Sequence, residues 1–421
     1  MSLWHIVWKS LWNRRLSVGL TVFAIAVSVM LLLIVERVRV DAKSSFAQTV
    51  SGVDLIVGAR GGSSQLLLYS VFRLGEATGN FSWESFTLLQ THPNVAWAIP
   101  VSLGDSHRGY RVLATDNRYF QHYHYGDNKA LAFSAGHPAG FVANSDVVLG
   151  SDVAKRLGYT VGHAIVLSHG IAEQALHDHE AAPFTITGIL KPTGTPVDRT
   201  IHITLGGMEA LHGDWHNGAP PFTATPATDT SLPAHLTPTH ITAALIGLKQ
   251  RMAVFPLQRN INTYAKEPLM AVLPGMALAE LWQSFALMEQ VLLLISACVA
   301  GAGLLGLMAV MLTSLNERRR ELAILRAVGA RPVHVVVLLL MESGLVGIAG
   351  ALMGMMLFHV VLLGLQPWLA SHLGLFMPLH WPGLNEGFIL LAVIVAAFVT
   401  GLLPAIRAYR NLLADGLAPR L

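Results

Sequence analysis

Histidines grouped with carboxylates are the first residues in this sequence whose types and spacing could do chemistry. His177-Asp178-His179-Glu180 lies close to His163 and His169, and neutral imidazole with carboxylate is a good ligand set for Zn²⁺. Of the 19 histidines, 14 fall between residues 36 and 289. No cysteine pair completes a finger, because Cys298 is the single cysteine and sits inside an apolar run. Histidines on solvated loops therefore stay ahead of a metal site, with zinc held by His163, His169, His177 and His179 as the open alternative. His212-Gly-Asp-Trp-His216 copies the spacing of a zinc-peptidase helix, yet Gly213 stands where the glutamate base belongs, so peptidase chemistry is excluded. Gly58-Ala-Arg-Gly-Gly62 resembles a phosphate cradle, but no Gly-Lys-Ser/Thr follows, and a tight structural turn is the better reading. No nucleophile–base set survives either, so no catalytic residue is expected and the chain is not read as an enzyme.

Arginine supplies the second pattern. Residues 316–331 carry Arg318, Arg319, Arg320, Arg326 and Arg331, interleaved with Leu322, Ile324, Leu325 and Val328. That spacing predicts a short amphipathic helix, stopped by Gly329 and Pro332. Such a helix could lie on lipid headgroups or insert into a groove on a cytoplasmic protein, and the residues alone leave both open.

The elements that must position these residues are mostly membrane spans. Hydrophobic residues make up 53% of the chain and charged ones 13%, where about 25% charge is usual in soluble domains. Runs at 16–35, 290–316, 333–365 and 388–406 are each long enough to cross a bilayer. The first run reads as an uncleaved anchor, since Glu36, Arg37 and Arg39 follow it with no small-residue cleavage site. Residues 36–289 have ordinary mixed composition. The expected fold is thus a membrane α-helical bundle of four transmembrane helices, one plus three, with a large extracytoplasmic α+β domain between helices 1 and 2.

Basic residues give the orientation. Lys9, Arg14 and Arg15 precede the first run, five arginines lie between the second and third, and Arg407, Arg410 and Arg420 follow the fourth, while 366–387 has neither Lys nor Arg. Both termini and the loop 317–332 are expected in the cytoplasm, with the large domain outside. In residues 1–15, Trp4, Trp8 and Trp12 recur on one helical face, as suits an interfacial helix parallel to the inner surface; 407–421 is the cytoplasmic tail. Inside the large domain, strands are expected at 49–57, 95–102, 111–114, 146–149, 164–168, 184–190, 201–204 and 241–248, and helices at 63–72, 151–157 (capped by Ser151) and 274–288. The proline-rich stretch 217–240 reads as a connector. Glu342 is an acidic residue within the third run, and a carboxylate there should face the bundle interior. Gly301 and Gly306, then Gly347, Gly350 and Gly354, let helix backbones approach closely, within the chain or against a second copy.

Glu317-Arg318-Arg319-Arg320-Glu321-Leu-Ala-Ile-Leu325-Arg326-Ala-Val-Gly329-Ala, followed by a long span with Glu342 and repeated glycines, resembles the FtsX/MacB permease family of ABC transporters. The one-plus-three layout and the Val53-Asp-Leu-Ile-Val-Gly58 segment agree with it. The resemblance implies a permease whose loop residues Glu317, Arg318, Arg319, Arg320, Glu321, Leu325, Arg326 and Gly329 dock on an ATPase. Because the chain shows no ATPase domain, it is similar to the split members, in which ATP and Mg²⁺ belong to a separate cytoplasmic ABC ATPase. The resemblance further implies a MacB-like periplasmic core domain with an inserted part near 111–219, a bacterial inner-membrane location, and pairing with a second permease copy or paralogue. A periplasmic adaptor or substrate-binding protein is a further expected partner, and nucleic acid is not. Two other classes stay open: a signalling module controlling an envelope enzyme, and a zinc-handling component.

Overall fold

The computed structural model describes residues 3–169, 184–212, 236–317, 331–372 and 383–414. Four of its helices are long and apolar enough to cross a membrane, the candidate spans being Arg15–Asp41, Pro274–Thr313, Val333–Gln366 and Leu384–Arg410. The chain divides into two compact units, one holding these apolar segments and the other comprising chiefly Lys43–Ser284.

In the first unit, helix Leu3–Asn13 is followed at once by helix Arg15–Thr49. Val7 is buried and Trp12 exposed in the short helix. The long helix outruns its apolar stretch because its next turn supplies its own charge pairs, Glu36 with Arg39 and Arg37 with Asp41, at the i,i+3 and i,i+4 spacings that meet on a helix surface. Helices Pro274–Glu317, Pro332–His372 and Leu384–Ala414 complete the set. The third begins with Pro332 at its first position, and the His334 ring accepts from the Arg331 backbone N–H at 3.1 Å, a capping-box arrangement.

The second unit is built on an eleven-stranded sheet. In chain order its strands are β1 (Leu55–Ala59), β2 (Val95–His107), β3 (Tyr110–Thr115), β4 (Phe133–Gly136), β5 (Asp146–Leu149), β6 (Ala164–Ile165), β7 (Ser168–His169), β8 (Phe184–Leu190), β9 (Thr200–Thr204), β10 (Ala243–Leu248) and β11 (Leu269–Val272). They lie in the order β11-β1-β10-β2-β3-β9-β5-β8-β4, with β7 also on β2 and β6 on β8. Pairs β3–β9 and β5–β8 are parallel. Both faces are covered: Val147 and Leu149 point into one apolar core and Val148 into the other, as do Leu55 and Val57 against Ile56. Burial on both sides is why these strands read as continuous apolar runs rather than alternating ones.

β2 belongs to both halves of the sheet. Val95–Val101 pairs with β10, whereas Ser102–His107 pairs with β3, and the register shifts between Leu103 and Ser106. The hairpin into β3 turns on Arg108 and Gly109, both at positive φ (48° and 81°), the geometry of the tight turn that matches strand twist. The far half of the sheet is therefore built from Ser102 onward, earlier than the expected insertion point.

Some local expectations are corrected. Thr49 ends the long helix rather than starting a strand: its carbonyl accepts from the Tyr123 hydroxyl at 2.5 Å, Gly52 turns the chain at φ 79°, and β1 begins only at Leu55. Ser151 does not cap helix Ser151–Leu157; Gly150 holds the cap position, where a Cβ would collide with the carbonyls of Val197 and Asp198. Helix Ser63–Ser70 likewise starts after Gly62, and the Ser63 hydroxyl donates to Glu280 instead. At the β11 edge, the Ala271 N–H donates to Asn262 (2.7 Å) and its carbonyl accepts from Gln258 (3.0 Å), so helix Val254–Asn262 blunts the exposed edge. Most of the proline-rich stretch lies outside the described residues.

Candidate functional site

The spans approach most closely where glycine removes a side chain. A Cβ on Gly350 would come 2.6 Å from Ile25, and one on Gly354 would come 2.7 Å from both the Ala26 carbonyl and Val29 Cβ. Gly344 and Gly347 play the same part against Phe398 and Ala397. The third span therefore rests on the first through one pair of glycines and on the fourth through another. Ser28 joins the first and second spans, donating to Ala24 O at 2.8 Å and lying 3.2 Å from Val299 O, with Gly303 opposite. Gly301 and Gly306 differ: among the described residues nothing lies within 4 Å of a Cβ built on either. Glu342 is 4% exposed and Ser343 fully buried.

A polar network ties the spans together at the ends nearest the sheet domain in sequence. Arg37 reaches Asp41 at 2.7 Å, one turn along its own helix, and Glu386 at 3.2 Å on the fourth span. Arg39 donates to Glu36 at 2.8 Å and to Glu289, on the second span, at 3.1 Å. Asn385 donates to Glu36 at 3.1 Å. Arg37 and Glu386 are 4% and 9% exposed, and removing one partner of such a buried pair typically destabilises by about 3–5 kcal/mol. Glu386 is positioned by its own helix start, where its second carboxylate oxygen accepts from Gly383 N at 2.9 Å. Sequence reading passed over this cluster. The available signals were the alternating charges Glu36-Arg-Val-Arg-Val-Asp41 after the first apolar run, and Glu386 as the lone acid of the 366–387 loop.

The residues expected to dock an ATPase are placed only in part. Glu317 closes the second-span helix, while Arg318, Arg319, Arg320, Glu321, Leu325, Arg326 and Gly329 lie outside the described residues. Of the candidate zinc ligands, His163 is exposed in a turn, 3.1 Å from the Thr160 hydroxyl, and His169 lies in β7 paired with Asp105. His177 and His179 lie outside the described residues. Among the described residues no group of three or more His, Cys, Asp or Glu side chains could hold a metal.

In the sheet domain, His202 and Glu267 are held by backbone and hydroxyl partners. His202 is fully buried on β9, its Nδ1 3.1 Å from the Val148 carbonyl. Burial, reinforced by the nearby Arg73 cation, pushes its pKa down to about 3, so the ring is neutral. Burial raises the Glu267 carboxyl, but hydrogen bonds from Ser85 (2.5 Å), the Ser82 hydroxyl (2.8 Å) and Ser82 N (2.8 Å) outweigh it and hold the pKa below its usual value. Glu267 thereby clamps the start of helix Trp83–Gln90, where Ser82 is the cap.

Four apolar helices, split one and three around a large mixed sheet domain, describe a membrane permease. Two family models match: the MacB-like periplasmic core domain over residues 18–234 and the FtsX-like permease C-terminal region over residues 293–412. The chain belongs to the FtsX/MacB-like family of ABC transporter permeases. Among solved structures, it is similar to the periplasmic region of MacB from Actinobacillus actinomycetemcomitans (10% identity, 54% of this chain and 92% of that one, TM-score 0.34). It is also similar to the extracellular domain of the noncanonic ABC-type transporter YknZ from Gram-positive bacteria (11% identity, 52% and 99%, TM-score 0.31). No curated protein matches the sequence.

Proposed function

We propose that this chain couples ATP hydrolysis by a separate cytoplasmic ATPase to motion of its outer domain, which acts on an envelope substrate. The observation that carries this reading is the arginine-rich, amphipathic segment 317–332 between the second and third spans of an FtsX-like permease region. Positive residues flanking the spans support cytoplasmic termini, with the sheet domain on the opposite side. Arg318, Arg319, Arg320 and Arg326 would face the ATPase, with Leu325 in its groove. A second permease copy is part of the reading: Gly301 and Gly306 offer bare backbone on the second span, beside exposed Leu294 and Leu305.

Purification of the tagged native complex, with mass spectrometry of the co-eluting proteins, tests the partner. A Walker-motif ATPase at equal stoichiometry is the expected result; its reproducible absence from intact membrane protein would overturn the reading. Arg326→Glu should abolish ATP-driven activity while the permease still inserts, and undiminished activity would remove the docking role.

A further inference from the structure

We infer that Arg37, Glu36, Glu386 and Asn385 form a rigid joint that makes the first and fourth spans move as one body where these residues meet. The inference rests on the mechanical reading above and specifies where motion passes between spans. Neighbouring residues on the fourth span, Asn385 and Glu386, engage neighbouring residues on the first, Glu36 and Arg37, at 3.1 and 3.2 Å. One such contact would act as a swivel; two side by side fix rotation as well as distance. Glu36 then accepts from Arg39 at 2.8 Å, and Arg39 continues to Glu289 of the second span at 3.1 Å, so a single further contact hinges a third helix to the joint. Arg37 is held from a second side by Asp41, and at 4% exposure little water can compete for it. Arg37 and Glu386 are thus positioning residues, acting through the helices they join. Because helix Arg15–Thr49 runs on past the joint, a displacement of the fourth span reaches the helix that enters the outer domain.

The test uses the full chain in complex with its ATPase, in a Cys298→Ser background. Nitroxides at Leu16→Cys and Met252→Cys, both strongly exposed positions, report the distance between the two units with and without ATP. The expected result is an ATP-dependent distance change in the parent that Glu386→Ala loses while ATP is still hydrolysed. The charge exchange Arg37→Glu with Glu386→Arg, made with Asp41→Asn to spare the reversed charge its like neighbour, should restore the change. If the parent distance ignores ATP, the mechanical reading fails and the joint with it. If the parent responds and Glu386→Ala responds equally, the joint alone is overturned. Should Glu386→Ala not assemble, Asn385→Ala removes one of the two anchors, and an undiminished response in that variant overturns the joint as well.

Discussion

His202 in the sheet domain and Arg37 in the span bundle are buried by opposite means. On β9, His202 is stripped of charge and bonded to a neighbouring strand's carbonyl, whose second lone pair is available beside the ladder. Between the spans, Arg37 is paired with two carboxylates. The difference follows from the backbone. Helices consume their own carbonyls, which short side chains can share, as Thr21, Ser28, Ser296 and Thr400 do with the residue four before. A long cationic side chain reaches carboxylates instead, Asp41 on its own helix and Glu386 on another for Arg37.

Several substitutions would break or sharpen that contrast. Arg37→Ala leaves Glu386 and Asp41 buried without their cation, and a loss of about 3–5 kcal/mol is expected; thermal unfolding in detergent reads it, and a shift no larger than that of Lys9→Ala would refute it. Gly354→Val pushes a branched side chain into Ala26 and Val29, with an expected loss of about 1–3 kcal/mol in the same assay.

His202 makes stability pH-dependent. The unfolded ring takes up a proton below its ordinary 6.5 and the folded ring not until about 3, so the stability it contributes is present above 6.5 and lost as pH falls between the two. The slope is about 1.4 kcal/mol per pH unit. Unfolding followed at pH 7, 6 and 5 should show it, and His202→Gln should flatten the slope.

Glu267→Gln weakens three charge-assisted hydrogen bonds, for about 1 kcal/mol at neutral pH. Because the folded carboxyl is depressed, the deficit should vanish as pH drops through the carboxylate range, where the parent protonates too. Gly301→Ala comes last: with open space around it, the change should stabilise the isolated chain by about 0.4–1 kcal/mol, in line with helix propensity. A marked loss of dimer from the same variant would place that face against a second copy.

Runs buried on both faces, such as Leu55–Ala59 and Ala243–Leu248, declare themselves in sequence because nothing polar interrupts them. The spans do so for the same reason. The start of β1 was misplaced because Thr49 and Val50 have strand-like side chains, whereas the helix end is decided by Tyr123, far along the chain. The joint was illegible for a stronger form of that reason: Arg37 and Glu386 are 349 positions apart, and neither residue type signals its partner. Only the bulk of the packing glycines could be read from spacing, and the 4 Å of open space at Gly301 and Gly306 separates them from Gly350 and Gly354 in a way that spacing does not.

One strand, β2, is a member of two ladders. Unfolding either half of the sheet would strip hydrogen bonds from a segment the other half needs, so the domain should melt as a single cooperative unit. Amide exchange along 95–107 should then slow at both ends together, leaving the register shift between Leu103 and Ser106 as the place where solvent first gains entry.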